Sequence, residues 1–137
     1  MMQMILFTMN QQYYLISAAS VEEVIDTVTI TKVPLAYHWI EGLINLRGTV
    51  MTVIGLAELI GVTRSKENRN ILIMKNDEEK KGLLIEEVVE VVDIEPADIQ
   101  LTSSDDQDYY AGVISSQYYR RKSFDFLVSE GKKWNKC

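Results

Sequence analysis

Two short runs of branched apolar residues, Leu43–Leu46 and Val50–Ile54, are joined at Arg47-Gly48. Runs of this length and composition predict β-strands, and so short a link between them predicts a tight hairpin. Gly48 supplies the permissive backbone that a sharp reversal needs. A chain built around such a hairpin is committed to sheet in its middle. The arginine at the tip must reach water or find a carboxylate, and its rigid five-donor fork suits a planar partner.

The rest of the chain supports an all-β reading. Met4–Met9 and Tyr13–Ala18 flank the polar Asn10-Gln11-Gln12 and predict an opening hairpin. Ser20-Val21-Glu22-Glu23 has the form of a capping box, with Ser20 as the cap and Glu23 reaching back. The β-branched run Val24–Ile30 that follows favours strand, so one helical turn and then a third strand is predicted. Thr31–His38 is a loop made extended by Pro34. Leu56–Ile60 predicts a short helix stopped by Gly61, and Thr63–Arg69 predicts a polar, mobile loop. Further strands are predicted over Asn70–Lys75, Gly82–Ile85, Val88–Ile94 and Tyr109–Ser115. The stretches between them are a solvated turn at Asn76–Glu79, a loop or helical turn from Pro96, and an acidic, mobile segment over Thr102–Asp108.

The two halves share an order. Tyr14-Leu15-Ile16, then Val21–Asp26, then Trp39–Ile44 parallels Gly82–Ile85, then Val88–Asp93, then Tyr109–Ile114. Each set is a returning strand, an acidic and β-branched strand, and an aromatic-x-x-Gly-apolar-Ile segment. The repeat is too short for a solenoid and predicts two similar small β-lobes. Short strands with frequent turns point to barrels or sandwiches.

Composition narrows the function. With 137 residues the chain is the size of one domain or two small lobes, and 47% apolar residues suffice for a core. A net charge of −6 opposes non-specific nucleic-acid binding and adhesion to anionic lipid. A single cysteine, Cys137, excludes an internal disulfide framework. No basic, apolar leader opens the sequence and no apolar run has the length of a membrane span, so a cytoplasmic protein is expected.

Catalytic chemistry finds little to work with. His38 is the only histidine, and with no second histidine and no non-terminal cysteine no zinc site can be completed. No nucleophile elbow, phosphate-binding glycine loop or calcium loop is present, so no enzyme, metal or cofactor is expected. The adjacent acids Glu22/Glu23, Glu78/Glu79, Glu86/Glu87 and Asp105/Asp106 read as solvated edges, because strand neighbours point to opposite faces. Binding is the default. Arg47 is the sharpest candidate, as an interface anchor or as a locally paired tip residue. Val21, Val24 and Gly42 read first as core and turn, with Gly42 marking a bulge or a close backbone approach. Tyr37 and Trp39 read as lids over the central hairpin.

The segment Gly42-Leu43-Ile44-Asn45-Leu46-Arg47-Gly48 resembles the signature hairpin of the CheW-like family of bacterial chemotaxis adaptors, and the resemblance runs from about residue 4 to about residue 117. It implies two five-stranded barrels around a shared hydrophobic core, with short helical turns, in one domain over residues 1–137. It implies a non-catalytic scaffold coupling methyl-accepting chemoreceptors to the regulatory domain of the histidine kinase CheA, held at membrane receptor arrays through its partners. By the same resemblance Glu23 faces Arg47 and the two lie at the receptor-binding surface, while Val21, Val24 and Gly42 lie near the kinase-binding surface. A detached regulatory domain of a kinase, a CheV-type protein lacking its receiver, and a nucleic-acid-binding barrel are the alternatives.

The pattern is not followed throughout. Glu41 stands where the family commonly has lysine or arginine, and Thr52 and Gly55 where it often has proline and aspartate. The reversal at Glu41 implies a changed partner preference. Residues 118–137 lack the family's leucine-rich closing helix and are expected to fray, with Phe124–Val128 as a closing strand.

Overall fold

The computed structural model describes residues 2–75, 79–95 and 97 in full and, beyond these, the backbone of three strands. The described elements are, in order, β1 (Met2–Met9), β2 (Gln12–Ser17), a 3-10 turn (Ala18–Ser20), β3 (Val21–Asp26), β4 (Ile40–Leu46), β5 (Thr49–Gly55), α1 (Leu56–Ile60), β6 (Asn70–Met74), β7 (Lys81–Ile85), β8 (Glu87–Ile94), β9 (Ile99–Leu101), β10 (Tyr110–Ile114) and β11 (Phe124–Val128). Two compact units result, one from Met1–Ser20 with Val88–Cys137 and the other from Val21–Glu87. Residues 76–78 of the expected turn, Pro96, the acidic segment Thr102–Asp108 and most of 118–137 lie outside the described residues.

The Val21–Glu87 unit is a five-stranded sheet ordered β3-β6-β7-β5-β4. It consists of two antiparallel hairpins, β4–β5 and β6–β7, joined by a parallel pairing of β5 with β7 from Thr52↔Lys81 to Gly55↔Leu84. Ile44, Met51, Val53, Ile71, Ile73 and Leu84 form its buried cluster, flanked by Ile25, Ile30 and Leu46. The short helix ends as predicted at Gly61, which adopts φ 82°.

The other unit repeats this plan. Its sheet is ordered β8-β1-β2-β11-β10-β9, with antiparallel β1–β2 and β10–β11 and a parallel pairing of β11 with β2. Met4, Leu6, Leu15 and Ile94 form a buried cluster, and the Phe7 and Tyr14 rings stack at 5.7 Å. β2 matches β7, β3 matches β8 and β4 matches β10, which is the internal repeat read from the sequence. The strand that follows each hairpin does not stay with it. β3 follows β2 in sequence but pairs with β6, and β8 follows β7 but lies beside β1.

The turns of the β1–β2 and β4–β5 hairpins are the two-residue kind with positive φ at each position, Asn10 at 49° and Gln11 at 66°, Arg47 at 50° and Gly48 at 86°. Their backbone twist matches that of the flanking strands, so the strands stay paired up to Met9↔Gln12 and Leu46↔Thr49. The Asn45 side-chain oxygen accepts from the Gly48 backbone N–H at 2.9 Å and fixes the second turn.

Four expectations need correction. The sheets are open ladders rather than closed barrels: β3 and β4 end the order of their sheet without pairing to each other. The segment between them is loop, and only a single bridge, Thr31 to Leu43, covers the β4 edge. The Ser20 capping box is not used, because β3 begins directly at Val21. β3 also stops at Asp26, short of the Ile30 that its β-branched run predicted. Thr63–Arg69 is not a free loop. Ser65 is buried and its hydroxyl donates to Glu86 at 3.0 Å, Arg69 N–H donates to the Glu86 carbonyl at 2.7 Å, and Thr27 N–H and hydroxyl donate to the Arg69 and Asn68 carbonyls.

Gly42 has the tightest surroundings of any glycine described. It is buried at a register shift in β4, has φ 146°, and a Cβ there would stand 2.1 Å from the Thr31 carbonyl oxygen. Gly48 has φ 86° but open space. Gly42→Ala is therefore expected to lower stability by about 3 kcal/mol or more, from strain and overlap together. Gly48→Ala should lower it by only about 1 kcal/mol. Denaturant unfolding of the two variants beside the parent checks the difference.

Candidate functional site

The hairpin tip and β3 meet in the Val21–Glu87 unit. The Arg47 guanidinium donates to the Glu23 carboxylate, closing an ion pair between residues far apart in sequence. The arginine remains 68% exposed and the glutamate 32%. Beside it Lys80 pairs with Glu22 at 2.7 Å. The two pairs rim a concavity of about 160 Å³ lined also by Leu46, Thr49, Met51 and Ile73. Its buried base, Met51 and Ile73, belongs to the hairpin core, while its exposed lining is mainly polar and carries both signs of charge.

Glu22 and Glu23 both line this concavity, against the expectation that strand neighbours face opposite ways. The cause is a register shift between Val21 and Glu23, where Val21 opposes Met74 and Glu23 opposes Ile73. A bulge turns one side chain toward the face it would otherwise avoid. The sequence carried no local sign of it, since neither residue is glycine.

The three other candidate residues separate. Val24 is exposed on β3, Val21 is buried on the same strand, and Gly42 is buried on β4. Only Val24 of the three offers a side chain to a partner. Gly42 acts as the close backbone approach that its residue type implied.

Glu41, the reversed charge, has an answer. Arg64 donates to the Glu41 carboxylate and, at 3.1 Å, to Glu58 on α1. Desolvation opposes the charge on Arg64, but the two carboxylates outweigh it, Glu41 more than Glu58, and its pKa is raised. Gly55 makes room for this cluster, because a Cβ there would stand 2.2 Å from a Glu58 carboxylate oxygen and 2.9 Å from one of Glu41. The two departures at Glu41 and Gly55 are thus one feature, and Arg64 is its third member. Sequence reading missed Arg64 because it sits in the polar stretch taken as loop.

Tyr37 and Trp39 stack face to face at 4.5 Å with 5° between their planes, and His38 meets Trp39 edge-on at 5.1 Å. Trp39 is half-buried and its indole nitrogen has no hydrogen-bond partner among the described residues, while Tyr37 and His38 are exposed. Trp39 is partly covered, and Tyr37, which stacks on it, is exposed. Among the described residues no group of three His, Cys, Asp or Glu side chains is placed to hold a metal ion.

The exposed Arg47–Glu23 pair is screened by water. A double-mutant cycle of Arg47→Ala and Glu23→Ala, read by thermal unfolding, should give a coupling of about 0.2–1 kcal/mol.

Comparison with known proteins places this fold. The family model described as the CheW-like domain matches residues 3–118. The chemotaxis protein CheW of Thermotoga maritima is 29% identical over 102 residues, covering 74% of this chain and 68% of that protein. The chemotaxis protein CheW of Helicobacter pylori is 27% identical over 100 residues, covering 72% and 61%. The crystal structure of the scaffolding protein TtCheW from Thermoanaerobacter tengcongensis superposes with a TM-score of 0.80 at 26% identity, over 93% of this chain and 84% of that one. The family model covers most of the chain and the solved scaffold shares its fold, so the chain belongs to the CheW-like family.

Proposed function

We propose that this protein is a non-catalytic scaffold of bacterial chemotaxis, which couples methyl-accepting receptors to the regulatory domain of the histidine kinase CheA in the cytoplasm. Its relatives are named as chemotaxis and scaffolding proteins, which supports the scaffold class. No helix among the described residues is long and apolar enough to cross a membrane. Association with receptor arrays would then run through the partners.

The observation that carries the proposal is the Arg47–Glu23 pair set beside the concavity floored by Leu46, Met51 and Ile73. A small concavity with a polar lining and charges of both signs has the character of the polar rim of a protein interface. It suits one polar or charged side chain projecting from a helical hairpin, with Arg47 free to re-pair with a carboxylate or carbonyl at its edge. Glu23 holds the guanidinium in place beforehand, which reduces the ordering cost of binding. Val24 lies exposed on the same strand and belongs to the kinase-facing surface, while Val21 is buried on that strand. Two weak contacts on one rigid body raise the effective concentration of each partner for the other.

Calorimetric titration into the cognate kinase's regulatory domain and, separately, into a receptor-tip fragment tests this. Saturable one-to-one binding with dissociation constants on the order of micromolar is expected for each. Arg47→Ala should weaken the receptor fragment roughly tenfold and leave the kinase domain alone. Absence of heat with both partners would end the coupling proposal, and equal loss with both would remove the assignment of Arg47 to the receptor side.

A further inference from the structure

We propose that the loop from Thr31 to Trp39 is a preformed docking knob, which seats Leu35 and Tyr37 in an apolar concavity of a β-rich partner domain with a carboxylate at its rim. Gly42 positions this knob without touching the partner.

Leu35 is the most exposed large apolar residue described, with a relative accessibility of 105%, and it holds φ at 62°. A leucine rarely adopts that backbone conformation. Strain and apolar exposure therefore fall on one residue, and burial of the side chain by a partner would offset the exposure. Val33 and Tyr37 add exposed apolar surface on the same loop.

The loop is held at both ends. Thr31 and Leu43 exchange two backbone hydrogen bonds, at 2.9 and 2.8 Å. At the other end Ile40 N–H donates to the Tyr37 carbonyl at 3.0 Å, Gly55 N–H donates to the Trp39 carbonyl at 2.7 Å, and Tyr37 stacks on Trp39. Such a loop arrives at a partner already ordered. Gly42 is what admits its root, since a Cβ there would occupy the space of the Thr31 carbonyl.

Charge selects the partner. No carboxylate occurs between Asp26 and Glu41 in an otherwise acidic chain, and the loop carries Lys32 and His38. Lys32 is exposed, so a carboxylate facing it complements the knob. A net charge of −6 disfavours an anionic membrane and a second copy alike. A helical hairpin tip is convex and offers no pocket to a convex knob. On the coupling function proposed above, which this inference rests on, the concave β-rich partner is the kinase regulatory domain.

Leu35→Asn gives the decisive test, because asparagine tolerates the backbone conformation that leucine resists. The full chain and the variant are titrated into the kinase regulatory domain and the receptor-tip fragment, with melting temperatures measured alongside. The expected result is a melting temperature unchanged or raised, a kinase-domain affinity roughly tenfold to a hundredfold weaker, and an unchanged receptor affinity. Lys32→Glu should weaken the kinase domain as well, and it decides alone if Leu35→Asn lowers the melting temperature. Unchanged kinase affinity in both variants overturns the knob while leaving the coupling function standing. Failure of the unaltered chain to bind the kinase domain removes both. Leu35-dependent binding to phosphatidylglycerol vesicles, or Leu35-dependent self-association in sedimentation, would replace the proposed partner and overturn the proposal.

Discussion

Each sheet depends on a parallel seam. A lone hairpin is marginally stable in water, and the seam is what makes one sheet of two hairpins. In the Val21–Glu87 unit β5 runs beside β7, and in the other unit β11 runs beside β2. Parallel neighbours cannot be joined by a tight turn and need a long connection. Between β5 and β7 that connection holds α1, the polar stretch from Gly61 and β6. Between β2 and β11 it takes nearly the whole chain. The polar stretch over 63–69 is therefore a structural part of the crossover. Its bonds to Thr27 and Glu86 tie it to the ends of β3 and β7.

The same seam places the binding features. β5 is fixed by β7 on one side and by β4 on the other, so the Arg47-Gly48 turn projects from a hairpin that cannot slide. β3 is fixed by β6 in a register that includes its bulge. Glu23 and Arg47 thus meet because two independent edges of one sheet are each in register. The ion pair contributes little to stability, being largely exposed. It reports the register and orients the guanidinium.

Strand composition and turn chemistry were legible in the sequence, because both act locally. The hairpins at Asn10-Gln11 and Arg47-Gly48, the helix before Gly61 and the repeat between the halves follow from nearby residues. Features that depend on distant partners were not. The Ser20 capping box failed because β3 pairs with β6 and claims Glu23 for sheet, where it meets Arg47. The bulge at Glu22 is set by pairing with Met74 and Ile73 and has no signature of its own. Closed barrels were expected from a resemblance, but closure needs β3 to pair with β4, and the two edges do not pair. Arg64 was invisible because its two carboxylates lie on β4 and α1.

The cluster of Glu41, Glu58 and Arg64 shows how a reversed charge is absorbed. A carboxylate in place of a cation beside Gly42 would leave Glu41 and Glu58 facing each other across Gly55. Arg64 bridges them, and the missing side chain at Gly55 gives the carboxylates room. The cluster keeps one net negative charge near the root of the Thr31–Trp39 loop, since β4 and Gly55 hold that root. The cluster's net negative charge thus sits at the base of the loop, and the tip carries no carboxylate. A partner that meets the tip finds apolar surface and a lysine, and one that meets β4 finds an anion already half-satisfied by Arg64. Replacing Glu41 by lysine would strand Arg64 between a cation and Glu58, so the charges at Glu41 and Arg64 are coupled in this chain.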